Sequence, residues 1–231
     1  MRAASDHSKT SRSLIGIVGY YQFVRGYPLG PELMARLQLG PWPAGSEVRE
    51  MNWGPIAIVQ DLQAGATRWD RVVLVGATDR GLPNDTVTCR RWTGGALDAT
   101  EVQRRVFEAV TGVISLDNLL VIGAHFGVWP DELYTVEVQA TEHSLSDFVL
   151  EEIEVDRETG RRQVIGTQPL TPHSAQIVEN IVNLSRQGAL TGVADAPVLT
   201  VEQLTPVAAF CHHRFVDAGA TPFPQTKDRC P

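Results

Sequence analysis

Three carboxylates border the predicted strands and helices of this chain. Glu32 lies in the first turn of a predicted helix, Asp79 follows the most apolar predicted strand, and Asp117 lies at the start of another predicted helix. Carboxylate oxygens prefer hard cations such as Mg²⁺ or Ca²⁺, with metal–oxygen distances of about 2.0–2.6 Å. Convergence of these side chains on one cleft would therefore make them a candidate catalytic or cation-binding set.

The imidazole of His125 is a further candidate ligand beside these carboxylates. His125 follows Asp117 by eight residues, which is about 12 Å along a helix axis. Asp79, Asp117 and His125 are thus weak candidate metal ligands, and the sequence assigns no metal or cofactor to the chain.

A second candidate site is an aromatic segment after the first predicted strand. Residues 20–27 read YYQFVRGY, and tyrosine and arginine are enriched at binding hot spots. The predicted partner-binding residues are Tyr20, Tyr21, Arg25 and Tyr27. The alternative is that these aromatic side chains only fill a cleft.

Other reactive residues fit no known pattern. The group Cys211, His212, His213 and Cys230 lacks the ligand spacing of structural zinc sites, and Glu142-His143 reads as a polar loop. The chain has no Gly-x-Ser-x-Gly elbow, no Gly-x-Gly-x-x-Gly and no Walker A loop.

The pattern of apolar residues predicts an α/β fold. Continuous apolar runs at 14–19 and 72–77 are typical of strands that are buried on both faces of a parallel sheet. Prolines at 31, 55 and 172 mark helix starts. The alternation predicts three layers, with a mostly parallel central sheet between helices. Further strands are predicted at 47–53, 86–92 and 133–138, and further helices at 100–113 and from 115.

Composition narrows the class of protein. The 231 residues carry a net charge of -7, which argues against nonspecific nucleic-acid binding. No apolar run is long enough to span a bilayer, and three widely spaced cysteines suit a reducing cytoplasm. We predict a loose start at 1–12, a domain at 13–187 with an insertion at about 151–167, and a C-terminal extension at 188–231.

Four segments together resemble one enzyme family. Residues 13–39, 70–88, 115–120 and 171–187 resemble, in order and spacing, the nickel-iron hydrogenase maturation proteases. The resemblance implies an α/β endopeptidase that removes a C-terminal tail from the hydrogenase large subunit after nickel insertion. It also implies two acids and a histidine that contact the nickel carried by the substrate.

This chain has other residues at those positions. Gly26 and Tyr27 fall at the first acid, Gly76 at the second, and Asp117 at the histidine. The resemblance therefore leaves two functions open. One is an endopeptidase with a shifted set of Glu32, Asp79 and Asp117, and the other is a non-catalytic subunit. In either case the expected partner is a protein, possibly a hydrogenase large subunit.

Overall fold

The fold is built on one six-stranded sheet. The computed structural model of the protein describes residues 11–19, 29–110, 114–140 and 170–204. The strand order is β2-β1-β3-β5-β4-β6. Strands β2, β1, β3 and β5 run parallel to one another, whereas β4 is antiparallel to β5 and β6 is parallel to β4. The strands are β1 (Ser13–Val18), β2 (Ser46–Met51), β3 (Arg71–Thr78), β4 (Val87–Gly94), β5 (Glu132–Gln139) and β6 (Val198–Thr200).

Helices cover both faces of this sheet. They are α1 (Pro31–Gln38), α2 (Pro55–Ala64), α3 (Ala99–Val110), α4 (Leu116–His125) and α5 (Pro172–Thr191). Because side chains alternate along a strand, β1 and β3 feed two cores. Ile15 and Val73 pack with α1 and α5, while Leu14 and Leu74 pack with α2 and α4. The predicted three-layer α/β architecture with a mostly parallel sheet is confirmed.

Local sequence explains where the helices begin. Proline occupies the first turn of α1, α2 and α5, where its missing N–H is not needed. The Ser115 hydroxyl accepts a hydrogen bond from the Asn118 amide at 3.1 Å and caps α4. Thr171 caps α5 in the same way. No helix in the described ranges is long and apolar enough to cross a membrane.

The described fold continues beyond residue 187, where the sequence analysis placed the start of an extension. Helix α5 runs on to Thr191, and β6 pairs with β4 from Arg91 to Gly94. A 3₁₀ turn, Val201–Gln203, follows. Residues 188–204 of the predicted extension thus include the end of α5, strand β6 and this turn. The predicted insertion at about 151–167 and the aromatic segment at 20–27 lie outside the described residues.

Candidate functional site

The candidate site lies at the carboxyl edge of the parallel strands. Strand β3 ends at Thr78 and β5 at Gln139, and these two residues are paired in the sheet. Helix α4 begins beside them, since a Cβ at Gly76 would lie 3.2 Å from the Leu116 Cβ. Parallel sheets commonly place ligand sites at this edge. Asp79 and Asp117 both occur here, one after β3 and one in the first turn of α4.

A buried arginine holds two carboxylates at this edge. The Arg80 Nη1 and Nη2 groups donate to Asp117 Oδ2 and Oδ1 at 2.8 and 2.6 Å. Nε and Nη2 also donate to Glu137 Oε2 and Oε1 at 3.0 and 3.1 Å. Nη1 further donates to the Gln203 carbonyl at 3.2 Å. All five N–H groups of this guanidinium are therefore hydrogen-bonded.

Glu137 is the most enclosed member of this charged cluster, with its side chain 1% exposed. Its Oε1 accepts from the Thr135 hydroxyl at 2.9 Å and its Oε2 from the Thr78 hydroxyl at 3.3 Å. The Arg90 Nε lies 3.4 Å from Oε2 as a second cation. Buried charges need this degree of pairing. The cluster of Arg80, Arg90, Asp117 and Glu137 balances two positive and two negative groups.

Burial and pairing act on Arg80 in opposite directions. Burial alone would lower the pKa of its guanidinium, because the charged form loses water. Hydrogen bonds and charge from Asp117 and Glu137 outweigh that effect and raise the pKa of Arg80 above its usual value. The guanidinium is thus a permanent cation in this site.

Asp79 takes part in the turn that presents Arg80. Its Oδ1 accepts from the Gly81 amide at 3.0 Å and from Gln139 Nε2 at 2.7 Å. Gln139 Oε1 in turn accepts from the Arg80 amide at 2.7 Å. These bonds fix the backbone on both sides of Arg80. Asp79 is therefore near Arg80 in space, joined to it through the amide of Gln139.

Glu32 and Asp117 are carried by helices on opposite faces of the sheet. Glu32 lies in the first turn of α1, whose apolar residues pack in the core shared with α5, whereas Asp117 belongs to α4. The Glu32 Oε2 atom is buried and has no hydrogen-bond partner among the described residues. Among the described residues, hydrogen bonds through Gln139 and Arg80 link Asp79 to Asp117. Glu32 lies apart from this chain of hydrogen bonds, on α1.

The other predicted ligands are dispersed. His125 is exposed at the end of α4 and packs edge-on to Phe126, with ring centroids 5.1 Å apart. Across the ranges that the structure describes, no group of three or more His, Cys, Asp or Glu side chains is placed to hold a metal ion. Tyr20, Tyr21, Arg25 and Tyr27 lie outside these ranges, so their role stays a prediction.

Packing leaves little room for a side chain at Gly76. A Cβ there would meet Leu116 Cβ at 3.2 Å and Cδ2 at 3.3 Å. These distances are tighter than ordinary contacts, so even alanine requires Leu116 to shift. Leu116, at the start of α4, therefore packs directly against the backbone of β3 at Gly76.

Sequence reasoning did not identify Arg80 or Glu137. Arg80 lies in the turn-rich segment DRGLPND, where an arginine is expected to be solvated, and Glu137 lies in the strand LYTVEVQ. A charged residue within a predicted central strand was the available signal, because such a strand is buried on both faces. Its partner is 57 residues away in the chain and could not be read from spacing.

Comparison with known proteins gives low similarity. No family model and no curated protein matches the chain. Among solved structures, the hydrogenase 3 maturation protease is 16% identical with a TM-score of 0.43, covering 83% of this chain and 99% of that one. A hydrogenase 2 maturation peptidase from a Thaumarchaeota archaeon is 15% identical with a TM-score of 0.31, and the match covers 65% of this chain and 99% of that one. An endopeptidase from Escherichia coli is 14% identical with a TM-score of 0.37, and the match covers 64% of this chain and 94% of that one. These values do not assign a function to the chain.

Proposed function

We propose that this protein binds a protein partner, a hydrogenase large subunit or a similar subunit, and does not cut it. The observation that carries this proposal is the pairing of Asp117 with Arg80. In the resemblance, residue 117 takes the place of a nickel-contacting histidine. Here both Asp117 carboxylate oxygens accept charge-assisted hydrogen bonds from one guanidinium. A carboxylate held in this way is a poor ligand for a metal carried by a substrate.

The packing at Gly76 supports the same proposal. A side chain at this position would run into Leu116, so no acid here could reach an open cleft without moving the start of α4. Asp117 and Glu137 are also already paired with Arg80, which leaves little uncompensated negative charge here to attract a divalent ion. Both effects oppose recognition of bound nickel, and neither opposes recognition of a protein surface.

The partner-binding surface proposed from the sequence is the aromatic segment at 20–27. Gly19 and Leu29, the described residues on either side of it, flank β1 and α1. Strand β1 ends at the carboxyl edge of the sheet, the same edge that carries Arg80. Tyr20, Tyr21, Arg25 and Tyr27 supply the large rings and the guanidinium that protein interfaces use as anchors.

One observation favours the alternative, an endopeptidase with a shifted site. The Glu32 Oε2 atom is buried and has no hydrogen-bond partner among the described residues. Buried carboxylate oxygens are usually paired, so a ligand at the carboxyl edge would account for it. Glu32 alone would supply one metal ligand, whereas the resemblance implies three, two acids and a histidine.

Co-expression with candidate partners tests the proposal. The chain is co-expressed with the hydrogenase-type subunits encoded near its own gene and captured through an affinity tag. The mass of the intact partner is then measured by mass spectrometry. We expect a stoichiometric complex that contains a full-length partner. Tyr21→Ala with Arg25→Ala should reduce recovery of the partner by about tenfold or more, as loss of two anchors does.

Arg104→Ala is the matched control, because this arginine is 58% exposed on α3 and lies outside the proposed surface. It should leave recovery unchanged. A partner that loses its C-terminal tail only in the presence of this chain would favour the endopeptidase. Equal recovery with the double variant and the control would remove the aromatic segment from the proposal.

A further inference from the structure

The arrangement around Arg80 has the geometry of a ligand pocket with its ligand in place. The two carboxylates meet two different edges of one planar group. Asp117 faces the edge formed by Nη1 and Nη2, and Glu137 faces the edge formed by Nε and Nη2. The Gln203 carbonyl accepts the remaining hydrogen. This is paired bidentate recognition of the guanidinium fork, with an acceptor for each of its donors.

The acceptors of this pocket are held by rigid elements. Glu137 lies within β5, which is hydrogen-bonded to β3 on one side and β4 on the other. Asp117 lies in the first turn of α4, which Ser115 caps. The hydroxyls of Thr78 and Thr135 hold the Glu137 carboxylate in position. Acceptors that are fixed before binding can select a ligand by shape.

From this geometry we infer that the Asp117–Glu137 pocket is a receptor for planar guanidinium groups, selective against spherical cations, which Arg80 occupies in cis. A Mg²⁺ or Ca²⁺ ion would need several oxygens within about 2.0–2.6 Å of a single point. Here the carboxylate oxygens lie 2.6–3.1 Å from nitrogens spread around the rim of a plane. The inference goes beyond the proposed function and holds whichever partner the protein binds.

A neighbouring arginine supplies the matched comparison. Arg90 is also largely buried, with its side chain 16% exposed, and its Nε lies 3.4 Å from Glu137 Oε2. Its side chain makes no hydrogen bond to a described residue, and its buried Nε is without an acceptor among them. Arg90 therefore contributes charge to the same carboxylate without occupying the fork-shaped pocket.

The pocket predicts a specific chemical rescue. Arg80→Ala removes the guanidinium and leaves two buried carboxylates facing each other, so the melting temperature of the full chain should fall by roughly 10 °C. Ethylguanidinium at tens of millimolar should restore at least about half of that loss, by mass action on the folded state. Ethylammonium, Mg²⁺ and Ca²⁺ at equal concentration should restore much less. The wild-type chain and Arg90→Ala should not respond to ethylguanidinium.

Hydrogen exchange supplies a second readout that general stabilisation would not produce. Because Arg80 also binds the Gln203 carbonyl, exchange at residues 199–204 should rise in Arg80→Ala and fall again with ethylguanidinium. If Arg80→Ala is recovered only as aggregate, the same comparison is made on the yield of soluble protein refolded with each cation. Rescue by Mg²⁺, Ca²⁺ or ethylammonium as strong as that by ethylguanidinium, an equal response of Arg90→Ala, or no rescue at all would overturn the inference.

Discussion

Arg80 and Asp117 are separated by 37 residues and form a bidentate ion pair in which both side chains are almost fully enclosed. The pair joins the turn after β3 to the first turn of α4. Asp117 is also the residue on which the proposed function depends. The relationship of these two residues therefore bears on stability and on function.

Asp117→Asn should lower the free energy of unfolding by about 3 kcal/mol. The substitution leaves the guanidinium of Arg80 buried with one charged partner instead of two, and broken buried pairs cost this much. Urea denaturation measures the change. Asp61→Asn is the control, since Asp61 pairs with Arg49 at 2.8 Å but is 56% exposed, and exposed pairs contribute about 0–1 kcal/mol. Equal losses in the two variants would contradict the role given to Asp117.

Gly76→Ala should destabilise the protein by about 1–3 kcal/mol, the usual cost of overpacking. Its Cβ would lie 3.2 Å from the Leu116 Cβ, and both residues belong to rigid elements. Gly65→Ala is a suitable comparison because a Cβ there meets only ordinary contacts at 3.4–3.6 Å. Differential scanning calorimetry should show a clear loss for Gly76→Ala and almost none for Gly65→Ala. A tolerated alanine at 76 would contradict the close packing of β3 against the start of α4.

Ser115→Ala should lower the free energy of unfolding by about 1 kcal/mol, because α4 loses the hydroxyl that accepts a hydrogen bond from the Asn118 backbone N–H. Ser115→Thr keeps an acceptor at this position and should lose much less stability. Thermal unfolding of the two variants makes the comparison. A threonine variant as unstable as the alanine variant would show that the hydroxyl is not the feature that matters.

Cys89 should react slowly with thiol reagents in the folded protein. Burial, together with the nearby charge of Glu137, raises the pKa of its thiol to about 11, so little reactive thiolate exists at neutral pH. The rate is measured in a chain carrying Cys211→Ser and Cys230→Ser, so that only Cys89 can react. The unfolded chain serves as the fast control, and equal rates in folded and unfolded protein would contradict the burial of this thiol.

The same pKa shift predicts a loss of stability at high pH. The folded state holds the Cys89 proton more tightly than the unfolded state, whose pKa is near 9.0. The free energy of unfolding should therefore fall as pH rises from about 9 to about 11. Cys89→Ala should show a shallower fall over this window when denaturant midpoints are compared. An identical fall in both proteins would assign the pH dependence to other groups.

The sequence predicted most of the fold because the signals were local. The apolar runs at 14–19 and 72–77 and the prolines at helix starts each act within a few residues. Strand β6 was not predicted, since it has only three residues and forms by pairing with β4, about a hundred residues earlier in the chain. Local patterns carry no information about such a pairing.

The site was harder to predict than the fold. Asp79 and Asp117 were candidates because they follow a predicted strand and begin a predicted helix, and the structure places both at the carboxyl edge. Their functional role stays a prediction. Their chemistry was not predictable, since it depends on Arg80 and Glu137 and on contacts 37 and 57 residues apart in the chain. An arginine in a turn is expected to be exposed, and only the packed structure shows that this one is enclosed.

The central claim, binding without cleavage, is tested most directly by intact-mass measurement on a defined pair. The purified chain is mixed with a nickel-loaded hydrogenase large-subunit precursor that keeps its C-terminal tail, and both the complex and the mass of the precursor are followed over time. The account predicts a stable complex in which the precursor mass does not change. Release of the C-terminal tail by the wild-type chain would contradict it and would establish an endopeptidase.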